Sequence, residues 1–324
     1  MSDPAARRGW GRFAARLGLG AVLLALIVRK VGVPDFGVPV GPRLLAGVLA
    51  AAALLMAGQA VAALRWKVVL GAGSPPWAYL TRLYYIGAFF SLFLPTVVGG
   101  DVVRAAAAAQ ATRRPGGVVA SVLVDRLLGV LALVVYGLVG ILLAPDVTAR
   151  LVAAAKVKLP GAGLLAAAVV GFILLVVLFR RALRSPTLQA TVAEGWTAVR
   201  ELARSPRALA TAVALGFVVQ GIYILLWVVL ARSVALPVPD RLLVLGVPVV
   251  SFFAMLPVTL NGLGVREGAW LLLLTGSGIP HDQVVGFSLL YFAANLVAGA
   301  IGGLIFVLRG TGTAATPAAD AETS

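Results

Sequence analysis

Two arginines define the chemistry open to this sequence. Arg104 and Arg266 each lie nine positions after a proline, Pro95 and Pro257, and each follows a glycine-rich stretch, Gly99-Gly100 or Gly262-Leu263-Gly264. Acidic residues stand beside them, Asp101 before the first and Glu267 after the second. Glycine lets a backbone approach a ligand closely. A helix starting at such a point turns its free N–H groups and positive dipole end toward the same spot. An arginine on the first turn adds a planar fork that can grip phosphate with two hydrogen bonds. Two such ends describe a receptor for an anionic group, phosphate first. Plainer roles exist alongside: Asp101 and Asn261 as helix caps, and Glu267 as the counter-charge of Arg266.

Asp125-Arg126 and Arg65-Trp66 carry the other charges within apolar surroundings. Each of these two arginines reads either as part of the site or as an anchor at the membrane interface. Gln59, Gln220 and Asn295 are lone polar residues in apolar runs and read as interhelical hydrogen bonders, while the tyrosines and tryptophans mostly read as a belt at the interface. The candidate substrate-binding set is therefore Arg65, Gly99, Gly100, Asp101, Arg104, Asp125, Arg126, Asn261, Gly262, Gly264, Arg266 and Glu267.

Other chemistries are excluded or disfavoured. With no cysteine, disulfides, thiolate catalysis and thiol metal sites are ruled out. A single histidine, His281, argues against a metalloenzyme or a Ser-His-Asp hydrolase. No cofactor is expected.

Composition supplies the setting. Of 324 residues, 61% are hydrophobic and 12% charged, with mean hydropathy +1.02. A soluble domain carries about a quarter charged residues, so this chain is an all-α integral membrane protein. The net charge of +15 reads as loops resting on anionic headgroups rather than as a nucleic-acid surface.

A span needs about 20 apolar residues. Full spans are expected at 17–28, 44–64, 127–145, 159–179, 208–231 and 283–308. Proline and glycine interrupt 83–100 and 242–265, so these read as re-entrant helical hairpins, 79–94 with 101–112 and 242–256 with 263–277. Six spans and two hairpins with both termini cytoplasmic place fifteen basic residues inside against eight outside, as the positive-inside rule asks. Residues 1–16 form a basic N-terminus, 17–309 one membrane domain, and 310–324 a disordered tail. Within 185–206 an apolar stripe through Leu188, Val192, Trp196, Val199 and Leu202 predicts a helix on the inner leaflet.

An offset of 162 superposes Phe90, Leu94, Pro95, Gly100, Val103 and Arg104 on Phe252, Leu256, Pro257, Gly262, Val265 and Arg266. Three full spans separate the two hairpins, which predicts an inverted-topology repeat, with halves at about 44–145 and 207–308 and a site at the midplane.

The stretch from Tyr85-Ile86-Gly87 through Phe93-Leu94-Pro95 to Gly99-Gly100-Asp101-Val102-Val103-Arg104 resembles the first signature of the lysylphosphatidylglycerol synthetase transmembrane, or flippase-like domain, family. Arg65-Trp66, Asp125-Arg126-Leu127, and Leu256-Pro257 through Asn261-Gly262-Leu263-Gly264-Val265-Arg266-Glu267-Gly268 are similar to its other signatures, in order. Asp125 stands where members often have glutamate, and Phe292 where many have arginine. The resemblance implies movement of lipid headgroups across a bacterial-type cytoplasmic membrane, aminoacylated phospholipid in some members and polyprenyl- or hopanoid-linked lipid in others. The soluble synthase domain of fused members is not expected here, nor is a nucleotide-binding loop seen.

The expected function is thus a lipid translocator rather than an enzyme. Its partner is a phosphate-bearing membrane lipid, with the oligomeric state open and a homodimer among the candidates. The alternatives are an intramembrane enzyme acting on a lipid phosphate, with Asp101 or Glu267 as general base, and an accessory membrane scaffold.

Overall fold

Residues 41–92, 99–149, 186–255, 262, 264–274 and 277–311 are described by the structure, a computed structural model, and they contain helices and no strand. The expected spans at 17–28 and 159–179, both prolines of the breaks, Asn261 and nearly all of the tail lie outside the described residues.

Four helices are long: α1 (Pro42–Leu70), α4 (Pro115–Leu143), α6 (Pro206–Ser233) and α9 (His281–Arg309). With 28 or 29 residues and mean hydropathy between 2.0 and 2.4, they are long and apolar enough to cross a membrane. Proline opens α1, α4 and α6, where its missing N–H costs nothing and its fixed φ suits the first turn. At 1.5 Å per residue each reaches roughly 43 Å, beyond the ~30 Å of hydrocarbon. Four more helices are too short to span: α2 (Trp77–Ser91), α3 (Gly99–Thr112), α7 (Asp240–Ala254) and α8 (Val265–Leu274). They pair as α2 with α3 and α7 with α8, each pair flanking one expected break, and the order long, short, short, long occurs twice. Helix α5 (Pro186–Ala203) stands between the two sets.

Two boundaries differ from expectation. Helix α1 runs past Arg65 to Leu70, and α4 starts at Pro115, ten residues before Asp125. These charges lie inside helices because they neutralise one another, not because they mark a membrane edge. Pro248 lies inside α7, which continues to Ala254, close to the end of the expected arm 242–256.

Helices α1 and α6 pack antiparallel. Gly47, near the start of α1, lies against Ser233 at the end of α6, Gly58 lies against Ile222, and Arg65 passes Gly216. Helices α2 and α7 each pack on a long helix of the other set, whereas α3 and α8 pack on α4 and α9 of their own. On α9, Gly299, Gly302 and Gly303 receive Leu92, Tyr85 and Phe89 of α2; on α4, Gly137 and Gly140 receive Pro248 and Leu245 of α7. Adding 162 to Gly137 and Gly140 gives Gly299 and Gly302, so the two glycine slots occupy equivalent positions.

The aromatic residues correct the expected belt. Trp66 and Trp270 are fully buried, and Trp227 joins Trp270, Phe287 and Tyr291 in one cluster with ring centres 5.0–5.3 Å apart. Trp77 and Trp196 do reach the surface, at 47% and 63% exposure. Helix α5 docks on α4 outside the predicted apolar stripe: Glu194 accepts a hydrogen bond from the Gly116 N–H at 2.9 Å, and Gly195 fits against Ala120. Leu202 is buried while Trp196 is exposed, which splits the predicted apolar stripe.

Candidate functional site

The C-terminal half of α1, the C-terminal ends of α2 and α7, the N-terminal ends of α3 and α8, and the middle stretches of α4, α6 and α9 line a cavity of about 340 Å³. Arg65, Asp101, Arg104, Asp125, Arg126 and Arg266 all line it. Three helices, α1, α3 and α4, supply the first five of these charges, and the charges form a chain. Arg65 Nε donates to Asp125 Oδ1 at 2.7 Å, and Arg104 Nη2 donates to Asp125 Oδ2 at 3.3 Å. Arg104 Nε donates to Asp101 Oδ1 at 2.8 Å, and Arg126 Nε to Asp101 Oδ2 at 2.6 Å. The Tyr84 hydroxyl completes it, donating to Asp125 Oδ2 at 2.9 Å. Asp125 is 2% exposed and Arg104 3%. Charges so deeply buried persist only when paired and hydrogen-bonded.

Aromatic rings fix the arginines. The Arg104 guanidinium carbon lies 4.6 Å from the Trp66 ring centre and 4.2 Å from that of Tyr84, and a Trp66 Nε1–H bond to Ser121 Oγ at 2.9 Å holds the indole. On the opposite wall Arg266 lies 4.3 Å over Tyr291. Such contacts stabilise a desolvated cation by about 2 kcal/mol.

The 162-residue offset relates the positions but not the chemistry. Arg65, Asp125 and Arg126 correspond to Trp227, Phe287 and Ser288. One wall is an ionic network and the other an aromatic cluster bearing Arg266.

The family profile described as the lysylphosphatidylglycerol synthase TM region matches residues 13–303, which include every residue of this cavity. The chain belongs to that family. No curated protein and no solved structure matches it.

Of the residues proposed from sequence, the fold brings Arg65, Gly100, Asp101, Arg104, Asp125, Arg126 and Arg266 to one cavity. Gly99, Gly262, Gly264 and Glu267 do not line it. Gly100 is small for a different reason from the one expected: it crosses Gly87 so closely that a Cβ on Gly87 would lie 2.9 Å from the Gly100 carbonyl oxygen. Gly262 and Gly264 have φ of +74° and +84°, a region only glycine enters readily. Glu267 accepts from Ser288 Oγ at 2.8 Å and from the Gly264 N–H, closing the start of α8. Asp101 pairs with arginines instead of capping α3.

Tyr84, Tyr223, Tyr291, Gln59 and Gln220 also line the cavity. Gln220 Nε2 is buried without a hydrogen-bond partner, and the Asn295 amide donates to Tyr291 O on its own helix, so neither shows the expected interhelical bond. Lone amides in apolar runs were the available signal; the tyrosines carried none, because a cavity tyrosine and an interface tyrosine look alike in one dimension.

Proposed function

We propose that this chain is a lipid translocator of a bacterial-type cytoplasmic membrane, passing a phosphate-bearing headgroup through the cavity while the acyl tails stay in lipid. The observation that carries this reading is the convergence of Arg104 and Arg266, each on the first turns of a short helix, on one cavity ringed by helices of membrane-crossing length. Arginine at such depth is costly and marks substrate pathways. Membership of a family described by a lipid-modifying enzyme's membrane region supports a lipid-related role.

On the same reading, α2–α3 and α7–α8 are re-entrant hairpins of an inverted-topology repeat with both termini cytoplasmic. Antiparallel packing of α1 on α6, and the reciprocal glycine slots, support it. In such folds the site lies where the broken helices meet.

The test is headgroup translocation by the full chain in reconstituted vesicles, with lipids analysed by mass spectrometry before and after. Redistribution without new lipid species is expected. New species would replace the translocator with an intramembrane enzyme, and neither outcome would leave a scaffold.

A further inference from the structure

The cavity is charged in a way that selects among headgroups. Four arginines and two aspartates line it, an excess of two positive charges among the described residues. Every oxygen of both carboxylates already accepts from a donor: Asp125 from Arg65, Arg104 and Tyr84, and Asp101 from Arg104 and Arg126. Donors, in contrast, are in surplus. Arg65 Nη1, Arg104 Nη1 and Gln220 Nε2 are buried with no partner, on side chains more than nine-tenths buried that line the cavity. A buried polar group without a partner is a rarity that calls for an explanation, and three donors around one cavity call for an acceptor.

We infer that the site takes a headgroup that is net anionic and bears no ammonium: a phosphomonoester, a diphosphate, or a phosphodiester extended by hydroxyls. This rests on the translocator reading and names its substrate class. Phosphate oxygens satisfy the surplus donors, and two negative charges cancel the excess while one halves it. An aminoacylated headgroup brings ammonium charge into a chamber already positive, where no carboxylate is left without a donor. Like charges at close range in a low dielectric repel strongly. The volume, about 340 Å³, is at the low end for small-molecule sites. It holds a headgroup and not the acyl chains.

The experiment uses the full chain in nanodiscs, offered equal amounts of phosphatidic acid, phosphatidylglycerol, lysyl-phosphatidylglycerol and phosphatidylcholine with identical acyl chains. Bound lipid is read by native mass spectrometry. The first two should exceed the aminoacylated lipid at least tenfold. The Gln220→Glu variant, checked for monodispersity, should narrow that ratio about tenfold by supplying a carboxylate. A preference for lysyl-phosphatidylglycerol that Arg266→Ala abolishes would overturn this inference and leave the translocator reading standing. Equal retention of all four lipids, indifferent to Arg266→Ala, would overturn that reading itself. Inorganic phosphate displacing phosphatidic acid at equal concentration would show that free phosphate is the ligand and overturn the lipid assignment. An unchanged ratio in Gln220→Glu would overturn the charge argument.

Discussion

Arg65 and Asp125 stand 60 positions apart in the chain and 2.7 Å apart in the structure. That contact ties the end of α1 to the middle of α4 and holds the ionic wall of the cavity. Arg232 and Asp240 are also 2.7 Å apart, but their side chains are 69% and 61% exposed.

Distance being equal, burial decides what each pair contributes. Arg65→Ala should destabilise the protein by about 3–5 kcal/mol, because it leaves a buried carboxylate undercompensated. The double replacement Arg65→Leu with Asp125→Leu should recover part of the loss. Asp240→Asn should cost no more than about 1 kcal/mol. Thermal unfolding in detergent, arranged as a double-mutant cycle, checks all three. A loss below 1 kcal/mol in Arg65→Ala refutes the argument.

Arg266 and Arg104 should respond differently to truncation. Arg266→Ala is expected to slow headgroup translocation at least tenfold while the protein stays monodisperse, since a charge-assisted hydrogen bond is worth about 1.5–3 kcal/mol. Arg266→Lys should rescue it in part, having charge but no fork. Arg104→Ala removes the shared partner of two aspartates and should compromise folding itself, so Arg104→Lys is the informative variant there. Normal translocation by Arg266→Ala removes that side chain from the proposed pathway.

The glycine slots should not tolerate a methyl group. Gly140→Ala and Gly302→Ala each drive a Cβ into the neighbouring helix backbone and should cost about 1–3 kcal/mol. Gly268 in α8 has open space around its would-be Cβ, so Gly268→Ala should be neutral or stabilising by up to about 1 kcal/mol. Melting temperatures of the three variants decide it; equal values would mean that the helices can separate freely.

Topology is testable from the two exposed turns. Single cysteines at Arg113 and Ser277 should react with an impermeant thiol reagent from opposite membrane faces. Reaction from one face only is incompatible with an inverted repeat.

Much of this fold was legible in sequence because proline and glycine act locally. The breaks near Pro95 and Pro257 were placed within two or three residues of the helix ends at Ser91, Gly99, Ala254 and Val265. The helix ends at Leu70 and Pro115 were not, because a charge in an apolar run reads as a boundary unless its partner is known. Asp125 neutralises Arg65 across 60 residues, and no window along the chain contains both. The site was half legible for the same reason: Arg104 and Arg266 announce themselves by spacing, whereas Tyr84 and Tyr291 matter only through partners distant in sequence, the guanidinium each one faces and, for Tyr84, Asp125.

The reciprocal glycine slots also set a timetable for assembly. Helix α7 meets α4, whose Gly140 is synthesised 105 residues before Leu245, so its seat is ready when it emerges. Helix α2 meets α9, and Gly302 follows Tyr85 by 217 residues. At about 5–20 residues per second, α2 waits roughly 10–40 s for its seat. Throughout that interval Phe89, which the finished protein buries against Gly302 and Gly303, needs other cover, so this face of α2 is the part of the N-terminal half most dependent on lipid or on insertion machinery while the chain is being made.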